Sequence, residues 1–223
     1  MKKLKAIIFD FDETIYQGKE VFGDKWTSAC VDLINYFFKD LNQEEKKTLY
    51  AKYEVPYQFD RNILKEKPAK HCLKILLGEG FTIKDWIDYW ESHLFSEDWN
   101  LVTNTISNEL LSDLAKEYKL YIVTASLEGQ IRHYAEKLNI DLSLFCEIYS
   151  NFRARLEKGT KKDYYYQLIM EKEDALPEEW LVIGDSYESD LVPAVNLKMN
   201  VLHVNQINWD YQNIIHKINE IKN

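Results

Sequence analysis

The chain has 223 residues, 28 Lys and Arg against 37 Asp and Glu, and a formal net charge of −9; 46% of it is hydrophobic and 29% charged. This is the balance of an ordinary globular protein, long enough for one core carrying a smaller insert. Its acidity argues against nucleic acid and anionic membranes as partners, although a bound cation can reverse the field inside one pocket and admit an anionic substrate.

Met1-Lys2-Lys3-Leu4-Lys5 leads into an apolar run of only Ala6-Ile7-Ile8-Phe9, ended by Asp10. That is too short for a secretory signal and reads as a strand over residues 5–9. From Gly18 to about Asn100 the pattern is helical, with candidates at 27–39, 43–53, 61–77 and 82–95. Thr82 with Asp85 resembles a capping box, and Phe81 with Trp86 a hydrophobic staple. Alternation follows. A helix is expected at 105–118, with Ile106, Leu110, Leu111 and Leu114 at helical spacing, then a strand at 120–123 and a helix at 127–138. A weaker strand falls at 146–149, a helix at 162–172, strands at 181–183 and 201–204, and a helix at 211–221. Strands alternating with helices predict an α/β fold: a doubly wound, Rossmann-like parallel sheet at 1–17 plus 100–223, with a smaller all-helical domain at 18–99. No apolar stretch reaches the roughly 18 residues of a membrane span. Cys30, Cys72 and Cys146 are odd in number and widely separated, so reduced thiols and a cytoplasmic location are expected.

In an open α/β sheet, ligands bind beyond the carboxyl ends of the strands. The first predicted strand is followed by Asp10-Phe11-Asp12-Glu13-Thr14, the second by Thr124-Ala125-Ser126, and the strand at 181–183 by Gly184-Asp185-Ser186 with Asp190 a turn later. A cationic run holding Lys158, Lys161 and Lys162 precedes the helix at 162–172. These residue types suit phosphoryl transfer. A carboxylate can attack phosphorus, a second can move the proton, a hard cation can offset their repulsion, and hydroxyls, helix N-termini and a lysine can hold phosphate oxygens.

Asp-Phe-Asp-Glu-Thr after a buried strand, with Gly-Asp-Ser-x-x-x-Asp far downstream, resembles the haloacid dehalogenase superfamily of hydrolases over residues 1–16 and about 100–205, and the insert occupies the position of that family's helical cap. The resemblance implies that Asp10 is the nucleophile and a magnesium ligand. It implies that Asp12 is the general acid/base with its carbonyl on the metal, and that Thr14 helps fix the loop. Thr124, with Ala125 beside it, would bind phosphate, and Lys161 would neutralise the charge shared by nucleophile and phosphate. Asp185 would hold magnesium, and Asp190 would support the metal site or orient the lysine. The residue between Asp12 and Thr14 is often Gly in that family and is Glu13 here. The lysine motif lacks its usual proline, which leaves Lys162 as runner-up and Lys158 as third.

Magnesium-dependent hydrolysis of a small phosphomonoester, a sugar phosphate or nucleoside monophosphate, is the expected activity, with substrate bound between core and cap. A phosphomutase, a haloacid dehalogenase and a non-catalytic binding module are the alternatives, and the presence of Asp12 speaks against the dehalogenase. Ser126 and Ser186 read as helix caps. The scattered histidines at 71, 93, 133, 203 and 216 have no metal-ligand spacing, the aromatics of the insert read as its core, and Tyr16-Gln17 reads as a hinge.

Overall fold

The computed structural model describes residues 4–17, 19–60, 68–93, 104–159, 161–204 and 211–222. The parts of the expected insert helices that fall on 61–67 and 94–95 lie outside them. The chain divides into two compact units, Met1–Gly18 with Leu101–Asn223, and Lys19–Asn100.

The first unit is built on five parallel strands: β1 (Ala6–Phe9), β4 (Lys119–Thr124), β5 (Glu147–Ser150), β6 (Trp180–Gly184) and β7 (Asn200–His203). Their order is β5-β4-β1-β6-β7, so β1 is central. Parallel strands covered on both faces read as continuous apolar runs, and every residue of β1 and β6 is buried. The edge strand β5 is only half-buried, which is why its pattern is the weakest of the set. Register fixes what meets at the carboxyl edge. Phe9 pairs with Ile122 on one side and Ile183 on the other. The residues just beyond β1, β4 and β6 therefore emerge side by side.

Alternating residues of one sheet face, Ala6, Ile8, Tyr121, Val123, Trp180 and Val182, pack with Tyr166, Ile169, Ala194 and Met199. Each large side chain buried in this way contributes about 1.5–3 kcal/mol. The connections are α5 (Asn108–Glu117), α6 (Glu128–Lys137), α7 (Phe152–Lys158), α8 (Lys162–Glu173), α9 (Val192–Asn196) and α10 (Tyr211–Lys222). Two of these, α7 and α9, are too short to produce a helical period in sequence. So is a second sheet in which β2 (Tyr16–Gln17) pairs antiparallel with β3 (Asn104–Thr105). That ribbon stands where the chain leaves the α/β unit and returns to it.

Every element of the second unit among its described residues is helical: α1 (Lys19–Phe37), α2 (Gln43–Lys52), α3 (Pro68–Gly78) and α4 (Ile83–His93), with a short 3₁₀ turn at Tyr57–Phe59. The expected box at Thr82 is present. The Thr82 N–H donates to Asp85 Oδ2 at 2.7 Å and the Asp85 N–H donates back to Thr82 Oγ1 at 3.2 Å. Asn42 and Glu45 cap α2 in the same reciprocal way. Aromatic edges hold the interior, among them Phe37 against Phe81 with centroids 4.7 Å apart and Trp86 against Trp90 at 6.1 Å. Cys30 and Cys72 are buried here as free thiols. No helix among the described residues is long and apolar enough to cross a membrane.

Candidate active site

β1 delivers Asp10 to the carboxyl edge, where its N–H donates to Ile183 O at 2.9 Å. The chain then turns sharply. The N–H groups of Thr14 and Ile15 both donate to Phe11 O, at 3.3 and 2.9 Å. Glu13 takes a left-handed conformation in this turn, φ 56°. Glycine adopts that region most readily, which accounts for its frequent use at this point of the resembling motif. The loop is thus closed by backbone bonds. Thr14 takes part through its backbone N–H, and its buried hydroxyl has no hydrogen-bond partner among the described residues.

The lysine against Asp10 is Lys162, not Lys161. Lys162 Nζ donates to Asp10 Oδ1 at 2.6 Å and to Asp190 Oδ1 at 2.7 Å. Lys161 is the N-cap of α8 and is exposed, as is Lys158. The reason is helical phase. Lys162, Tyr166 and Ile169 share the buried face of α8, whereas Lys161 lies one residue earlier and faces water.

Asp190 is held from several sides. Its Oδ2 accepts from the Ser186 N–H at 3.0 Å, its Oδ1 accepts from Ser189 Oγ at 3.1 Å, and its carbonyl accepts from Tyr166 OH at 3.3 Å. Gly184 makes this approach possible. A Cβ there would stand 2.6 Å from both Asp190 Cβ and Oδ2. The segment Tyr187–Leu191 forms one turn of π-helix, and Ser186 caps it as expected.

One carboxylate oxygen from each of Asp10, Asp185 and Asp190 lies within 4.8 Å of the others. Burial pushes the Asp10 carboxyl up to about 7; Lys162 opposes this, and the neighbouring Asp190 and Asp12 add to it. For Lys162, burial works against the charged form, but Asp10 and Asp190 outweigh it and the ammonium is held well above its ordinary range. One lysine cannot balance these carboxylates. A hard divalent cation with oxygen ligands fits both the donor set and the excess negative charge.

Asp12, on the same loop, lies in different surroundings. Its Oδ1 accepts from Tyr16 OH and its Oδ2 from Ser126 Oγ. Burial, then the charge of Asp12, pushes the Tyr16 phenol well up, so Tyr16 stays a donor. Thr124 closes β4, buried, with its Oγ1 3.1 Å from Ser126 Oγ and accepting from the Ser126 N–H at 3.2 Å; Ala125, between them, is half-buried. Ser126 is not the helix cap that sequence suggests. The N-cap of α6 is Leu127, without a side-chain cap bond. The contacts of Ser126 and Tyr16 with Asp12 have no sequence signal, since both residues sit in ordinary turn and hinge contexts.

A parallel sheet whose central strand ends in Asp10 and Asp12, answered by Asp185, Asp190 and a buried lysine, defines an α/β protein of the haloacid dehalogenase type. The chain belongs to the haloacid dehalogenase-like hydrolase family, whose model matches residues 7–204. Solved structures agree on the fold. A HAD-hydrolase of Bacillus subtilis, YfnB, bound to magnesium, is 17% identical with a TM-score of 0.54, covering 98% of this chain and 100% of that one. A HAD phosphatase of Thermococcus onnurineus is 17% identical with a TM-score of 0.53, covering 91% and 87%. A predicted phosphoglycolate phosphatase of Haemophilus somnus is 19% identical with a TM-score of 0.54, covering 91% and 86%. No curated protein matches the chain by sequence.

Proposed function

We propose that this hydrolase is a magnesium-dependent phosphatase acting on a small phosphomonoester in the cytoplasm, with its chemistry on the α/β unit. The observation that carries the reading is the unequal treatment of two aspartates on one loop. Asp10 lies against a buried ammonium and two further carboxylates, while Asp12 lies against two hydroxyl donors. Paired carboxyl groups in contrasting environments suit a nucleophile and a proton carrier.

In this mechanism an Asp10 oxygen attacks phosphorus and the bond from phosphorus to the leaving oxygen breaks, while the carboxylic proton of Asp12 passes to that oxygen. The Asp12 carboxylate then takes a proton from water, whose oxygen attacks the aspartyl-phosphate. Inorganic phosphate leaves, and Asp10 is regenerated. Lys162 holds Asp10 in place and offsets its charge, and Asp190 holds Lys162. Thr124 and the adjoining Ala125 backbone bind phosphate oxygens. Asp10, Asp185 and the Asp12 carbonyl would hold magnesium, which when bound supplies positive charge that screens the nucleophile from the phosphate. Sugar phosphates and nucleoside monophosphates are the substrate classes to try first.

The test is phosphate release from a panel of small phosphate esters, with magnesium or with excess chelator, for wild type and Asp10→Asn. Magnesium-dependent release that disappears in the variant supports the reading. Release that persists in Asp10→Asn, or that ignores chelator, refutes it.

A further inference from the structure

The proton carrier is gripped at both oxygens, but by donors of different mobility. Ser126 carries a hydroxyl that can rotate toward Thr124 Oγ1, 3.1 Å away. Tyr16 has no such freedom. Its ring packs edge-on against Phe11 and Tyr134, at centroid distances of 5.4 and 5.8 Å, and all three residues are buried. Its backbone is paired twice, to Thr105 in the ribbon and to Asp12 through an isolated bridge. The two carboxylate oxygens also face different ways. Oδ2 meets the Ser126 hydroxyl just beyond β4, beside Thr124, where the proposed mechanism places the phosphate, and Oδ1 meets a phenol set in aromatic packing.

We propose that Tyr16 is a positioning residue for Asp12: its phenol anchors Oδ1 throughout turnover, while Oδ2 exchanges Ser126 for the leaving-group oxygen and later for the attacking water. This rests on the phosphatase reading above. Tyr16 touches neither phosphorus nor leaving group. It fixes the direction in which Asp12 delivers and takes its proton. The ribbon that joins the α/β unit to the insert thereby reaches the acid/base group through one hydrogen bond.

The experiment compares kcat/KM for an alkyl phosphate, whose leaving oxygen needs a proton, with that for 2,4-dinitrophenyl phosphate, whose leaving group does not. Tyr16→Phe removes one oxygen and keeps the ring packing; a thermal melt checks the fold. General acid catalysis is worth about 10²–10⁴-fold, and losing the anchor is expected to lower kcat/KM for the alkyl ester by roughly 10–100-fold, with a change under about 3-fold for the dinitrophenyl ester. With the latter, kcat still falls and a burst of dinitrophenolate appears, because Asp12 must also activate water. Ser126→Ala alters the other oxygen without touching the ring cluster and is expected to shift the ratio of the two substrates less. A uniform loss on both esters, no loss on either, or a larger ratio change in Ser126→Ala overturns the inference. Asp10→Asn, assayed alongside, separates the two levels. An inactive Asp10→Asn with uniform loss in Tyr16→Phe sinks only the positioning role, whereas turnover in Asp10→Asn sinks the mechanism beneath it.

Discussion

In the α/β unit Asp10, Lys162 and Asp190 are 8%, 4% and 1% exposed, whereas among the described residues of the helical unit those that are buried are all apolar or aromatic, from Cys30 and Leu33 to Trp86 and Trp90. Among its described residues the helical unit buries no charge, and it sets pairs such as Lys47 with Glu44 and Lys84 with Asp88 at helical intervals on its surface. Pairs of that kind contribute about 0–1 kcal/mol each. Taking charge out of water is costly even when it is paired, and an apolar replacement is often as stable. The α/β unit therefore carries a stability cost that packing does not require: Glu179, 8% exposed and paired with Lys5, lies at the amino end of β6, whereas the cluster of Asp10, Lys162 and Asp190 lies at the carboxyl edge of the sheet, where ligands bind in such folds. The contrast separates the region under functional constraint from the one shaped by packing.

The comparison is broken most sharply at Lys162. Lys162→Ala leaves Asp10 and Asp190 buried without their cation, and a loss of about 3–5 kcal/mol is expected, together with activity. Lys161→Ala, one residue away and exposed, should stay within about 0.5 kcal/mol of wild type. Urea unfolding of both variants checks the pair, and equal losses would mean that the buried cluster is not special.

Next comes the cation. If Asp10 and Asp185 hold magnesium, the ion at about 100 times its Kd should stabilise the protein by about 2.7 kcal/mol. Asp185→Asn should lose most of that gain. The thermal shift on adding magnesium in the absence of any substrate is the measurement.

Two glycines give a smaller and more pointed contrast. Gly184→Ala forces its methyl group onto Asp190 at the Cβ itself, so about 1–3 kcal/mol and a large drop in kcat are expected. Gly78→Ala meets the outer edge of the Tyr53 ring, 2.2 Å away in the helical unit. That ring is half-buried and can swing aside, so a smaller loss and an unchanged kcat are expected. The smallest effect is at Glu13, where Glu13→Gly relieves the left-handed backbone and should raise stability by about 0.5–1 kcal/mol, readable as a rise in melting temperature.

The central strands were legible because β1, β4 and β6 are apolar runs ending in a carboxylate or hydroxyl, which puts Asp10, Thr124 and Asp185 at the carboxyl edge. The lysine was not legible. Lys161-Tyr165-Leu168 and Lys162-Tyr166-Ile169 are equally plausible core faces, and only packing on the sheet selects the second. Ser126 and Tyr16 were hidden for another reason. Their bonds to Asp12 join residues through the register of neighbouring strands and through a two-residue strand too short to leave a period. Thr14 shows the converse, since a polar side chain in a recognisable motif is buried while the backbone does the fastening.

The central claim is that Asp10 forms the covalent intermediate. It is tested most directly by mixing the protein with magnesium and 2,4-dinitrophenyl phosphate, quenching in acid on the millisecond scale, and mapping peptides by mass spectrometry. The account predicts one added phosphoryl group on the peptide spanning Asp10, localised to that residue, chased away by longer incubation and missing from Asp10→Asn. Turnover with no adduct at Asp10, or with the phosphoryl group on another residue, would contradict it.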